Sequence, residues 1–180
     1  MEENPERNIV NKVVVVTGSS RGIGANIVKT LAKKGYRVIL NYNKSENYAQ
    51  NVQKELINVD IFKADVSKKA EAVSLINFAI EKYGKIDVLI NNAGISQSKL
   101  FTDLTDEDWN NIINSNLNSA FFCSREAAKN MIHNKSGLII NISSIWGITG
   151  ASCEVAYSTS KAALNGFTKA LAKELGPSNI

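Results

Sequence analysis

The run Val13-Val14-Val15-Val16, followed at once by Thr17-Gly18-Ser19-Ser20-Arg21-Gly22-Ile23-Gly24, reads as a buried strand that turns through three glycines into a helix. β-Branched residues on successive positions suit a strand covered on both faces, the habit of a parallel sheet held between helices. Glycines at such a turn let the backbone approach a phosphate, and the free N–H groups opening the next helix favour its negative charge. Glycine also builds tight turns in proteins that bind nothing, so it is the strand before and the helix after that give the pattern meaning.

Working outward, the same alternation continues to the end of the chain. Apolar β-branched stretches at 13–17, 37–42, 60–63, 87–91 and 137–143 are each followed by stretches of helical period at 22–34, 47–56, 68–83, 106–130 and 157–175. Five βα units predict a Rossmann-type, doubly wound α/β fold with helices on both faces of a parallel sheet. Gly35, Gly84 and Gly176 fall just past helical stretches, where a residue free to take positive φ closes the C-terminus. Thr105 with Asp108 reads as the opening of the fourth helix. The chain has 180 residues, only two prolines (Pro5 and Pro177) and no internal repeat, so one domain over 1–180 is expected.

Composition narrows the function. Hydrophobic residues make up 44% and charged residues 21%, which excludes a disordered chain. The apolar runs at 13–16 and 138–140 fall far short of the roughly 20 residues of a membrane span. The first ten residues are polar and acidic where a secretory leader would be basic and then apolar, so a cytoplasmic protein is expected. Cys123 and Cys153 have no CxxC spacing and His133 is the only histidine, so no metal site is expected and both thiols read as small packed hydrophobes. The net charge of +4 comes from basic residues interspersed with acids, which argues against nucleic acid and suits a phosphate-rich cofactor or an acidic protein partner.

Three further places carry chemistry. After the second strand stands Asn41-Tyr42-Asn43-Lys44, with no acid before Glu46, and Arg21 lies in the glycine turn. An acid there would bind a ribose 2′-OH, whereas cations suit a 2′-phosphate, so NADP(H) is expected over NAD(H). Asn91-Asn92-Ala93-Gly94 ends the fourth strand, at the edge where such sheets bind ligands, although asparagine and glycine are also plain turn residues. Finally, Ser143-Ser144 ends the fifth strand and Tyr157-Ser158-Thr159-Ser160-Lys161 opens the fifth helix. Positions 157 and 161 share one helix face, where an ammonium favours the charged form of a nearby tyrosine and fits it for proton transfer.

Taken together, TGSSRGIG, Asp65 in KADVS, NNAG, Asn116 in NSNLNS, NISS and YSTSK resemble the short-chain dehydrogenase/reductase family, in its order and spacing, from about Val13 to Ile180. The resemblance implies Asn116, Ser144, Tyr157 and Lys161 as catalytic residues. Tyr157 would give the proton to a ketone oxygen, Ser144 would polarise that oxygen, Lys161 would hold the nicotinamide ribose, and Asn116 would hold a water leading to solvent. It also implies a cofactor set of Gly18, Ser20, Arg21, Gly22, Ile23, Gly24, Asn43, Asp65, Val66, Asn92, Ala93 and Gly94, completed by Tyr157 and Lys161. Gly18, Gly22 and Gly24 would face the pyrophosphate, Asp65 and Val66 the adenine, and Asn92 the adenosine-side ribose.

The subgroup it is most similar to is the bacterial 3-oxoacyl-acyl-carrier-protein reductases, which implies NADPH-dependent ketone reduction in fatty-acid synthesis. Trp146 and Glu154, in the segment between Ser144 and Tyr157, are instead similar to the elongation factor P 5-aminopentanone reductases and would face substrate. Lys135 fits one of two basic places expected to dock acyl carrier protein, but Pro177 and Ser178 stand at the other. Family members usually continue past Ile180 into further strands, so a truncated chain is expected, and a catalytically idle dinucleotide-binding or oligomer-forming module is the reading from another class. A homodimer or homotetramer packed through the helices at 106–130 and 157–175 is expected, with Phe121, Phe122, Leu164 and Phe167 at the interface.

Overall fold

In a computed structural model describing residues 11–180, five parallel strands lie in the order β3-β2-β1-β4-β5. They are β1 (Val13–Val16), β2 (Arg37–Tyr42), β3 (Val59–Lys63), β4 (Val88–Asn91) and β5 (Leu138–Asn141). The helices are α1 (Gly22–Lys33), α2 (Glu46–Lys54), α3 (Lys69–Tyr83), α4 (Asp106–Ile113), α5 (Ser119–Asn134), α6 (Trp146–Thr149) and α7 (Val155–Leu175). The chain winds outward from β1 to β3, then returns to place β4 on the other side of β1, pairing Val15 with both Ile39 and Leu89. The strand order reverses at β1, and a crevice opens there at the carboxyl ends of β1 and β4.

Alternate residues of each strand feed two cores. Val13, Val15, Ile39 and Leu89 meet Leu75, Ile76, Cys123 and Met131 from α3 and α5. Val14, Val16, Val38 and Leu40 meet Val28, Ala49 and Val52 from α1 and α2. The four valines of β1 are all buried, as a two-faced strand requires.

β5 departs from that expectation. Leu138 and Ile140, on the face shared with Val14 and Val16, are 51% and 37% exposed. The strand sits at the edge of the sheet, and α1 and α2 pack over β1, β2 and β3 instead.

The single helix expected at 106–130 is interrupted. α4 and α5 are joined by a π-helical turn at Asn114–Asn118, and α5 runs on to Asn134. Thr105 opens α4 with a full capping box, its Oγ1 accepting from Asp108 N–H while Asp108 accepts from Thr105 N–H, each at 3.1 Å. Gly35 and Gly84 take positive φ (92° and 77°) as expected. Gly176 does not: at φ −51° it continues into a 3₁₀ turn, and Asn179 takes the left-handed conformation. Burial pushes the Cys123 thiol up to about 12. Cys153 is only half-buried, with φ 61°, so the expectation of two packed thiols holds for one. Leu164 is 1% exposed, which removes it from the surface expected at a subunit interface, whereas Phe122 is only partly buried against the first core. Among the described residues no helix is long and apolar enough to cross a membrane, and no cluster of metal-ligating side chains forms. The leader reading rests on residues 1–10, outside those described.

Candidate active site

The glycine turn, at the end of β1, is held from the ends of two neighbouring strands. Gly18 N–H donates to Asn41 Oδ1 at the end of β2 (3.0 Å), and Thr17 Oγ1 accepts from Asn92 N–H and Ala93 N–H behind β4, both at 3.0 Å. Asn92 Nδ2 closes the loop by donating to the carbonyls of Thr17 (2.9 Å) and Gly18 (3.0 Å). Two glycines are demanded by contact. At Gly18, with φ 59°, a Cβ would lie 2.8 Å from Ala93 Cα, and at Gly24 it would lie 2.6 Å from Asn92 Nδ2. α1 then begins with no side-chain cap and no acid in its first turn, so its leading N–H groups are left for a ligand.

Over this turn runs a cleft of about 690 Å³ lined by Gly18, Ser20, Arg21, Asn43, Asp65 and Gly94, among others. A side recess adds Asn41, Ala64 and Val66. No acid stands where β2 ends: Asn43 and Lys44 line the cleft there, as does Arg21. On the far wall, Asp65 Oδ1 accepts from Ser67 Oγ at 2.6 Å, while Asp65 N–H donates to Glu71 and holds that carboxyl below its ordinary range. Uncapped amides beside exposed cations fit a dinucleotide carrying phosphates.

Next to the cleft, sharing Ile23, Asn92, Gly94 and Ile95 with it, is a cavity of about 200 Å³ that reaches Ser96, Ile142, Ser143, Tyr157 and Lys161. Lys161 is 4% exposed and its Nζ donates to Ile142 O at 2.7 Å. Burial lowers the pKa of its ammonium. That Nζ lies 5.7 Å from the centre of the Tyr157 ring, one turn earlier on α7. Asn116, in the π-helical turn, is 1% exposed and spends its side chain on its neighbours: Oδ1 accepts from Ile95 N–H at 2.7 Å, and Nδ2 donates to Ile95 O (2.9 Å) and Ser160 Oγ (3.0 Å).

The family model for the short-chain dehydrogenases matches residues 12–180. The chain belongs to the short-chain dehydrogenase family. It is 40% identical over 176 residues to an uncharacterized oxidoreductase of Bacillus subtilis, spanning 95% of this chain and 72% of that one. It is 39% identical over 173 residues to a 3-oxoacyl-acyl-carrier-protein reductase of Synechocystis, spanning 94% of this chain and 70% of the relative. A crystal structure of a candidate short-chain alcohol dehydrogenase from Sinorhizobium meliloti superposes with a TM-score of 0.88 at 32% identity, over 94% of this chain and 68% of that one.

Within this short-chain dehydrogenase, Tyr157, Lys161, Gly94 and Asn92 come together around the cavity, and the glycine turn, Asn43, Asp65 and Val66 line the cleft beside it. Ser143, not Ser144, lines the cavity, and its hydroxyl donates to Lys161 O at 3.2 Å. Ser144 Oγ instead accepts from Trp146 N–H at 3.2 Å, at the start of α6. Trp146 stands edge-on to the Tyr157 ring, with centres 6.0 Å apart, and is not part of the cavity lining. Glu154 is 8% exposed and reaches only Ser96, whose hydroxyl donates to its carboxylate at 3.1 Å.

Sequence reasoning missed Thr17, Asn41, Ser96 and Ser160. Asn41 and Thr17 sit at strand ends next to the glycine turn, and that adjacency was the available signal. For Ser96 and Ser160 no local pattern marks the role, because each acts through a partner distant in sequence.

Proposed function

We propose that the chain reduces a ketone to a secondary alcohol using NADPH, with a 3-oxoacyl group on acyl carrier protein as its first substrate. The observation that carries this reading is the buried Lys161 ammonium beside Tyr157, in a cavity continuous with an uncapped helix N-terminus. When bound, the nicotinamide supplies the hydride that adds to the carbonyl carbon. Tyr157 gives its hydroxyl proton to the carbonyl oxygen as the carbon–oxygen double bond becomes a single bond. The Lys161 charge, one helical turn away, stabilises the phenolate left behind. The reading gives Ser144 the polarising of the carbonyl oxygen, for which its hydroxyl, now accepting from Trp146 N–H, has to be presented to the substrate; Asn116 anchors the Ile95 segment that walls the cavity. Arg21 and Lys44 support the choice of the 2′-phosphorylated cofactor, since both line the cleft where an acid would accept a ribose hydroxyl.

A 3-oxoacyl substrate is supported by the relatives named for that reaction, at 36–39% identity. A second reading, reduction of the 5-aminopentanone group on elongation factor P, is supported by Glu154, buried behind Ser96 of the cavity wall with no cation in contact among the described residues. In either case the reading is of a cytoplasmic homodimer or homotetramer, and exposed Trp109 on α4 and Phe121 on α5 support the oligomer as apolar surface.

NADPH consumption followed by absorbance, with acetoacetyl-acyl carrier protein and with aminopentanone-bearing elongation factor P as alternative substrates, tests the reading. Turnover of the first and not the second is expected. Faster turnover of the second would exchange the two readings, and tight NADPH binding with no turnover of any ketone would leave a dinucleotide-binding module.

A further inference from the structure

The four-residue helix α6 lies against α7 beside the residues that carry the proton transfer. Gly147 makes that approach possible: a Cβ there would stand 2.8 Å from the main-chain carbonyl carbon of Lys161, and 3.0 Å from both Ala162 N and Lys161 Cβ. Backbone atoms cannot swing aside as the end of a long side chain can, so even a methyl group at position 147 has to push α6 and α7 apart. The contact is tied by Asn165, one turn beyond Lys161 on α7, whose Nδ2 donates to Gly147 O at 3.3 Å.

From this contact the segment leaving β5 reaches both members of the pair. Lys161 is gripped at its two ends, Ile142 O accepting from Nζ at 2.7 Å and Ser143 Oγ donating to the main-chain carbonyl at 3.2 Å. Tyr157 is met by the neighbour of Gly147, since the Trp146 ring stands at 84° to the tyrosine ring with centres 6.0 Å apart. Trp146 is 39% exposed, so the seating of α6, and not burial in a core, keeps its ring on Tyr157. Residues 142–147 thus hold the two side chains in place, and their own place depends on the contact at Gly147.

We propose that Gly147 and Asn165 are positioning residues: by seating α6 on α7 they hold the Tyr157 ring and the Lys161 ammonium in the arrangement that transfers the proton. The inference rests on the ketone-reductase reading and adds to it two residues that do not line the cavity. A misplacement of about 1 Å in an acting group can cost about 10²-fold in rate, so a methyl group behind the pair is felt in the reaction.

The test uses the full chain with NADPH and ethyl acetoacetate. Gly147→Ala should lower kcat by about 10- to 100-fold and leave KM for the ketone within about threefold of the parent, the mark of an arrangement used only in the transition state. Asn165→Ala, which adds no atom, and Asn165→Asp, which keeps the shape and lacks the donor, should lower kcat by a smaller factor. Gly166→Ala is the control, because a Cβ there meets nothing within 4 Å, and kcat should stay unchanged. A purely structural role would lower the urea midpoint of Gly147→Ala and spare kcat, and that result would overturn the assignment.

Fluorescence separates the inference from the reading it rests on. The chain has two tryptophans, so the emission lost in Trp146→Phe isolates Trp146 from Trp109. Acrylamide should quench that component faster in Gly147→Ala and Asn165→Ala than in the parent, as the indole comes off Tyr157. A parent that reduces no ketone, with variants that show this change, would refute the reductase and keep the seating of α6. Equal quenching in the parent and both variants would overturn the seating, whatever the turnover. If Gly147→Ala does not fold, the Asn165 variants carry both measurements, and parent-like kcat and quenching in them would overturn the proposal.

Discussion

Asn116 grips Ile95 from both sides, accepting its N–H at 2.7 Å and donating to its carbonyl at 2.9 Å, as a neighbouring strand would. The side chain is therefore a clasp between the π-helical turn and the segment behind β4, and any water relay at this position would have to use its backbone. Replacing Asn116 by Ala removes two part-buried hydrogen bonds to the Ile95 backbone, at a cost of about 0.5–1.5 kcal/mol each. A lowered urea midpoint together with weaker NADPH binding is expected, and an unchanged midpoint would show that the segment finds other partners.

Tyr157→Phe removes the proton donor and keeps the ring that Trp146 meets edge-on. Turnover should fall by about 10²- to 10⁴-fold, the usual contribution of a positioned acid, while NADPH affinity changes little. Stopped assays with NADPH titrated by fluorescence measure both quantities, and activity within a few-fold of the parent would assign the proton to another group.

Arg21 precedes α1, exposed on the lining of the cleft, which Lys44 also lines. A guanidinium forms paired hydrogen bonds with a phosphate that NADH cannot offer. NADPH should bind more tightly than NADH, and Arg21→Ala should narrow the gap. Matching dissociation constants for the two cofactors in the parent would rule this out.

Far from the site, Tyr83 donates a hydrogen bond to Asp60, and burial together with that bond pushes its hydroxyl up to about 12. Folding favours the protonated phenol. The stabilisation is complete below the ordinary value of 10, and is lost as pH rises from there through about 12. Urea midpoints at pH of about 9 and about 11.5 should fall further for the parent than for Tyr83→Phe; equal falls would mean that the tyrosine gains nothing from Asp60.

The sequence by itself determined the order of strands and helices, the glycine turn and the shared face of Tyr157 and Lys161. These follow from neighbours a few positions apart: alternation along a strand, 3.6 residues per helical turn, and the φ and close contact that only glycine permits at Gly18. Even the capping box at Thr105 and Asp108 is of this kind. The tertiary structure decided what those signals meet. Ser96 and Glu154 are 58 positions apart, Asn41 and Gly18 are 23 apart, and Asn116 and Ile95 are 21 apart. Each pair is formed because the parallel sheet gathers the carboxyl ends of β1, β2 and β4 on one edge, where buried donors and acceptors must find one another or lose their hydrogen bonds. The same geometry decided β5: its apolar residues predict burial, but its place at the sheet edge leaves Leu138 and Ile140 in the open, because burial depends on what the rest of the chain brings to that face.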